Sequence, residues 1–541
     1  MNQRIRLPFV TILLAAVFAV AIMLPRLQDP HFGLLDDGAT VQTAQSLAEG
    51  HWLTWDVQGG RFRPGYWAFW LLPYLVGGAN PLVFFIGSAA LLAAVSVLVT
   101  VLIGLWTRRW WIGLLAAVIL MASPPSVELY YTLSKGEGVQ VFWILVALLT
   151  LTLFSGRQGR RLDVLSIVLT SLAMLAACFS KETGVVVLPL SVAALFIAWL
   201  GERSTFRWHR HTPYVQAVLA AFVAVLVFFS ARWMVLRISV VDVGGYASNY
   251  AFDLRVLAVS AYRWAGLLLS DFPYLLALPL GMALAWKDMP RTQRQVLFLA
   301  ALWSAGWVGI FLPWDGITVY FQYPAAVGIA VMTAFTLAGL IRTVRRHALG
   351  RRGTSLATFA VLGVLLFASV GNAWTNARVQ LAVDRVNAQA LAAAVEEAPG
   401  GGRVLINIQD PNEYTFEIPL HFQELYGRAD LRVETVQLAD FPPSDAGDAI
   451  VLAPFMRNAP VLTVRTGVVE PYITQWDESL SNALPEGTEQ LVRIIAHETL
   501  FSFKLPQLLC GVINAETYCR SEPQALDLLA FEAGWRVFRL P

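Results

Sequence analysis

The chain has 541 residues, 57% hydrophobic and only 14% charged, with a mean hydropathy of +0.59. So much apolar sequence excludes a soluble globular protein and makes this a polytopic membrane protein. The net charge of +2 hides an asymmetry: from Trp374 onward 22 acids face 12 bases, a net of −10, while the residues before it hold 15 acids and 27 bases, a net of +12. A basic membrane body and an acidic tail are therefore expected, and a tail without a basic, aromatic-studded stripe excludes nucleic acid as a partner.

The first apolar stretch, residues 7–24, follows Arg4 and Arg6. No small-residue cleavage site comes after it, so it reads as a retained first span rather than a removed signal. Further apolar stretches cover 81–106, 110–122, 139–154, 162–179, 185–200, 215–235, 265–286, 296–312, 323–341 and 356–370. Most approach the ~20 residues that cross a bilayer core, which gives about eleven transmembrane helices. Basic clusters occupy alternate connections: Arg4/Arg6, Arg108/Arg109, Arg157/Arg160/Arg161, Arg203/Arg207/Arg210, Lys287/Arg291/Arg294 and Arg342/Arg345/Arg346/Arg351/Arg352. The positive-inside rule places that set, and the N-terminus, in the cytoplasm. The tail is then extracytoplasmic, and the expected location is the plasma membrane. The fold class is a polytopic α-helical membrane protein, residues 1–372 with an outer loop at 25–80, followed by a soluble extracytoplasmic α/β domain at 373–541.

Bases left on the outer side need a reason: Arg26, Arg61, Arg63, Lys135, Lys181, Arg232, Arg237, Arg255 and Arg263. Acids show the reverse bias, with only Asp163, Glu202 and Asp288 of the membrane part on the cytoplasmic side. Singly, such residues read as snorkelling side chains at helix ends. As a set gathered at one surface they mark a functional site.

The stretch 33–67 reads GLLDDGATVQTAQSLAEGHWLTWDVQGGRFRPGYW. Asp36 and Asp37 precede a helix expected over residues 39–49, for which one carboxylate suffices as an N-cap. The other is a candidate general base that takes a proton from an acceptor hydroxyl. Adjacent carboxylates repel, so their roles should differ. Arg61 and Arg63 suit an anionic leaving group such as a lipid phosphate. Pro64 and the aromatics 66–70 then suit a helix at the membrane interface. Two later connections, SPPSVELYYTLSKGEG at 123–138 and SKETG at 180–184, each set Lys beside Glu. Lys135 and Lys181 could meet the phosphate, and Glu128, Glu137 and Glu182 could hold those bases or sugar hydroxyls. Capping and snorkelling explain each connection equally well when taken alone. Gly244-Gly245 would allow a mobile loop, and Asp315 and Gln322 of PWDGITVYFQYP are candidate sugar contacts.

In the tail, residues 376–398 read as a helix, and 403–408, 431–436, 449–452, 461–464 and 534–540 as strands. Gly400–Gly402 is a turn and not a phosphate loop. Cys178 lies in an apolar segment. Cys510 and Cys519 could pair in an oxidising compartment or stand as unrelated thiols.

In order and spacing the chain resembles the GT-C superfamily of integral membrane glycosyltransferases, the branch of protein O-mannosyltransferases and lipid A aminoarabinose transferases. The carrying residues are Asp36-Asp37, Arg63-Pro64, Asn80-Pro81, Pro125 with Glu128, and Ser180-Lys181-Glu182. Motif order covers residues 1–200, topology extends to about 372, and the tail is not covered. The resemblance implies a polyprenyl-phosphate-linked sugar donor and inverting transfer on the outer face to a glycan, lipid or protein acceptor. Asp36 would be the base, with Arg63 and Lys181 near the donor phosphate. Two positions depart from the pattern: the family's His-Pro is Pro124-Pro125, and the Arg often found before the Tyr of the last outer loop is Gln322. No cofactor is required by this reading, and no Cys/His cluster offers a zinc site. Asp36 and Asp37 with His31 are the groups that would hold a divalent cation. The competing readings are a lipid or glycolipid transporter or flippase, and a non-catalytic assembly protein. Ionisable groups that gather at one surface instead of mid-span favour surface chemistry over passage.

Overall fold

Apolar runs that enter a bilayer can satisfy their backbone groups internally only as helices or closed barrels, and helices dominate here. The computed structural model describes residues 3–540 apart from 35, 53–56, 58–59, 134, 155–159, 202–207, 237–249, 315–318, 347–348, 408–412, 437–448, 458–486 and 504–525. In chain order the helices are α1 (Gln3–Gln28), α2 (Asp37–Ala48), α3 (Pro64–Gly77), α4 (Pro81–Thr107), α5 (Trp110–Met121), α6 (Pro124–Tyr131), α7 (Glu137–Phe154) and α8 (Arg160–Ser180). A tight 3₁₀ turn at Glu182–Val186 leads into α9 (Val187–Gly201), then α10 (Trp208–Leu236), α11 (Leu254–Asp271), α12 (Leu278–Ala285), α13 (Arg291–Phe311), α14 (Tyr323–Arg346) and α15 (Leu349–Glu397).

Among the described residues nine helices are long and apolar enough to cross a membrane, or ten if one bent pair is a single span. The two expected spans that do not form one long straight helix are both broken by proline. Pro124 and Pro125 lack the amide donors that would continue α5, so α6 leaves it at 65°. The stretch 265–286 is divided between α11, a 3₁₀ turn at Pro273–Leu276 and α12. Phe272, the residue before Pro273, has φ −126° and ψ 63° and lies outside the helical region. Long-helix side chains close that break: Ser369 Oγ donates to the Asp271 carbonyl at 2.5 Å and Asn372 Nδ2 to the Ser270 carbonyl at 3.2 Å.

Helix α14 is the hub of the bundle, buried almost throughout, and packs against α5, α12, α13 and α15. Helix α15 has 49 residues, about 70 Å at the α-helical rise, far more than the ~30 Å of a hydrocarbon core. Its first part exposes Val364 and Phe367, and its last part buries Ala390, Leu391 and Ala394. One rod thus runs unbroken through residues 372–373, where composition placed the domain boundary, and becomes the floor of the C-terminal domain.

That domain holds α16 (Glu413–Tyr426) and a mixed five-stranded sheet, β1 (Arg403–Asn407), β2 (Arg432–Val436), β3 (Ile450–Arg457), β4 (Glu489–Phe503) and β5 (Leu526–Arg539), in the order β2-β1-β3-β5-β4. Strand β1 runs parallel to β2 and β3, while β5 is antiparallel to β3 and β4. Alternation along the strands sends Val404, Ile406, Ile450, Leu452, Trp535 and Val537 to one face, where they pack with Val386, Leu391 and Ala394 of α15 and Ile418 and Phe422 of α16. Four of the expected strands are found. The fifth, 461–464, lies outside the described residues, as do Gly244-Gly245, Cys510 and Cys519.

The tail is not tethered by α15 alone. Leu34, from the loop after α1, is buried in the core of the C-terminal domain. Arg385 pairs with Asp29, and the buried Arg26 donates to Asp384 at 2.6 Å.

Candidate active site

The loop between α1 and α2 gives its two adjacent carboxylates different environments. Asp37 is fully buried, and its oxygens accept the backbone N–H of Gly33 and of Leu133, each at 2.8 Å. Burial, and then the facing Asp384 carboxylate, push the Asp37 carboxyl up to about 8, so at neutral pH it is held as the neutral acid. Asp36 takes a left-handed backbone, φ 59° and ψ 2°, and its side chain makes no capping bond to α2. This conformation costs a non-glycine residue about 1–2 kcal/mol, and aspartate tolerates it better than most. The turn aims Asp36 away from the helix start, with 31% of its side chain exposed.

The expected capping by an aspartate is therefore replaced. Helix α2 begins at Asp37, and its free amides are served from the C-terminal domain: Gly38 N–H donates to Glu417 Oε2 at 2.8 Å and Ala39 N–H to Glu417 Oε1 at 3.2 Å. His421, one turn on, places Nε2 3.6 Å from Glu417 Oε2, longer than a hydrogen bond.

The cations converge from three connections. Leu133 is held at both polar groups, its N–H by Asp37 and its carbonyl by the Tyr66 hydroxyl at 3.1 Å. Tyr66 is in turn 3.0 Å from Thr40 Oγ1. Two residues later Lys135, nearly enclosed, sets Nζ 4.0 Å from Asp36 Oδ2. Gly136 then passes against the Ser180 carbonyl so closely that a Cβ would lie 2.7 Å from it. This approach brings the SKGEG and SKETG turns side by side. Lys181 pairs with the buried Glu137, and its carbonyl accepts from Gln140 Nε2 at 2.9 Å. Both ammonium groups stand over the Tyr320 ring, Lys135 at 4.4 Å and Lys181 at 5.3 Å, and Lys181 is 4.7 Å from the Phe321 ring, within cation–π range. Burial pulls the Lys181 ammonium below its ordinary range against the charge of Glu137, and the nearby Arg63 acts in the same direction as burial. Arg63 opens α3, its guanidinium 5.1 Å from the Tyr66 ring. Arg61 lies half-buried two residues before it. Glu182, 25% exposed, pairs with Arg232 at 3.5 Å. Arg232 also donates to the Gly60 carbonyl at 3.2 Å and so holds the start of the Arg61–Arg63 segment. Glu128 is buried close to Lys135 and accepts the backbone N–H of Tyr320.

The structure thus gathers Asp36, Arg63, Lys135, Lys181, Glu128, Glu137 and Glu182, with Arg61 at the margin. Two expectations are corrected. Asp37 faces inward with both oxygens occupied. Gln322 is fully buried and gives its amide to Asp271 at 2.6 Å, bracing the break after α11 and not facing a sugar. Of the groups that would hold a divalent cation, His31 pairs with Asp29 at 2.9 Å, and among the described residues no group of three His, Cys, Asp or Glu could hold a metal ion. Asp315 lies outside the described residues. Arg232, Tyr320, Phe321 and Glu417 carried no assigned role in the sequence reading. Arg232 had one signal, a base on the outer side without an explanation, whereas Glu417 had none.

Chemically, the arrangement offers an accessible carboxylate beside a cluster of enclosed bases: a proton acceptor next to a place for an anion. No protein-family model matches the chain, and no curated protein matches its sequence. Among solved structures it is similar to ArnT from Cupriavidus metallidurans bound to undecaprenyl phosphate, at 14% identity and a TM-score of 0.46, over 86% of this chain and 95% of that one. It is also similar to the archaeal oligosaccharyltransferase AglB from Archaeoglobus fulgidus in complex with an inhibitory peptide and a dolichol-phosphate, at 13% identity and a TM-score of 0.46, over 76% of this chain and 63% of that one. At these values the likeness carries no residue role to this chain.

Proposed function

We propose that this protein is a glycosyltransferase of the GT-C type, moving a sugar from a polyprenyl-phosphate donor to an acceptor hydroxyl with inversion. The observation that carries the reading is the Asp36 carboxylate, solvent-facing on a left-handed turn, 4.0 Å from the enclosed Lys135 ammonium. Lys135, Lys181 and Arg63 bind the donor phosphate and stabilise the charge that grows on it as it leaves. Asp36 removes the acceptor's proton. The acceptor oxygen bonds to the anomeric carbon, the carbon–phosphate oxygen bond breaks, and polyprenyl phosphate departs with the electron pair. Glu137 holds Lys181 in place, Glu182 does the same for Arg232, and Glu128 stands beside Lys135. By the charge alternation of the loops, the N-terminus is cytoplasmic and the site and the C-terminal domain lie outside a plasma membrane. A transporter would need its charged groups along a path through the bundle, whereas these collect at one end.

The test is to supply purified protein with a panel of polyprenyl-phosphate sugars and a cell-envelope acceptor extract. The expected result is consumption of one donor, release of free polyprenyl phosphate and a product glycoside of inverted configuration. If no donor is consumed with any acceptor fraction, the enzyme reading falls and lipid transport becomes the activity to assay.

A further inference from the structure

We infer that Glu417 is a positioning residue for Asp36, so that the C-terminal domain completes the active site and does more than shield it. This rests on the reading of Asp36 as the base. A helix start leaves its first amides without intrahelical partners, and the residue ahead of it ordinarily supplies the acceptor from an extended backbone. Asp36 cannot do both jobs. Its left-handed turn frees the carboxylate for the site and leaves the amides of Gly38 and Ala39 to be satisfied elsewhere. Glu417, 379 residues from Gly38 in sequence, takes both with its two oxygens.

Every residue around Asp36 with a described side chain is held. Leu34 is sunk in the core of the C-terminal domain. Asp37 is fixed by Gly33 and Leu133, and Gly38 and Ala39 by Glu417. The Asp36 turn is therefore clamped between a core contact and a carboxylate clamp, both from the same domain. Gly38 shows how tight the fit is: a Cβ there would stand 2.7 Å from Glu417 Oε2 and 2.8 Å from His421 Cδ2. Behind the clamp, α16 is seated on both sides, with Leu425 packed in the cluster that holds Val41 and Ala44 of α2 and Phe422 in the domain core. Strained backbone persists where its surroundings over-determine it. Here the surroundings that impose the Asp36 conformation come largely from the C-terminal domain.

The test uses the full-length protein and the donor identified above. Glu417→Gln keeps size and shape but turns an amide donor toward one of the two N–H groups. Gly38→Ala sets a methyl group against the Glu417 carboxylate and the His421 ring and so displaces the clamp without adding or removing a charge. For both, kcat is expected to fall about thirty- to a hundredfold, as small displacements of a reacting group do. KM and direct binding of the donor should stay within about twofold, because the phosphate-binding bases are untouched. Hydrogen exchange of the segment 33–45 should rise in both, a readout independent of activity. An unchanged kcat in both variants overturns the proposal, and so does a loss of donor binding in proportion to kcat, which is the mark of general unfolding. If Glu417→Gln does not fold, Gly38→Ala carries the test. The two readings fail separately. A fully active Asp36→Asn removes the base assignment, while an inactive Asp36→Asn beside fully active Glu417→Gln and Gly38→Ala removes this inference alone.

Discussion

Asp36 and Asp37 are chemically identical neighbours, and one backbone dihedral separates them. A residue at φ 59° points where its neighbour cannot. One carboxylate is thereby delivered to the site and the other is spent on structure. Composition and spacing announce such a pair but cannot order it, because the partners that order it, Leu133 and Asp384, are distant in sequence. The buried member has a consequence for stability. The folded state keeps a proton on Asp37 up to about pH 8, whereas an unfolded aspartate has lost it above about pH 4. The folded state then binds more protons across that window, so its stability falls as pH rises through it. The melting temperature in detergent should decline from about pH 5 to pH 8 and flatten in Asp37→Asn. An equal slope in the two proteins would assign the pH dependence to other groups, with Asp384 and Arg26, which face Asp37, examined next.

Among the elements, prolines and one close approach do most of the positioning. The resemblance motifs were legible because each sits where an element starts or turns. Asn80 caps α4 ahead of Pro81, accepting the Leu82 N–H at 3.0 Å. Pro64 occupies the first turn of α3, and Pro124 begins the bent helix that carries Glu128. The two lysine turns were legible one by one. Their meeting was not, since it depends on Gly136 lying against the Ser180 carbonyl. A methyl group there must force the turns apart, because a backbone carbonyl cannot swing aside as a flexible side chain can. Gly136→Ala is expected to weaken donor binding about tenfold while retaining helical content, as two bases no longer share one phosphate. Unchanged affinity would mean that Lys135 and Lys181 act independently. Helix α16 was missed because Pro419 interrupts its pattern. Strand β4 and the first part of β5 were missed because their pairing is mutual, and neither alone shows its partner.

At the scale of the whole molecule, the sequence reading anticipated a basic membrane bundle and an acidic mixed domain. It did not anticipate that they share one helix or that the domain reaches into the site. Composition divides the chain near residue 373, whereas packing joins it there through α15, the Arg26–Asp384 pair and the Glu417 clamp. Buried ion pairs and caps between remote segments leave no periodic trace in a sequence. The central claim is that the domain-braced Asp36, and not Asp37, is the base. The measurement that tests it most directly is kcat for Asp36→Asn and Asp37→Asn on the identified donor, each with donor binding measured alongside. Loss of a general base predicts a drop of about 10²–10⁴-fold for Asp36→Asn with donor binding intact, against about tenfold or less for Asp37→Asn. An active Asp36→Asn beside an inactive but folded Asp37→Asn would contradict the account.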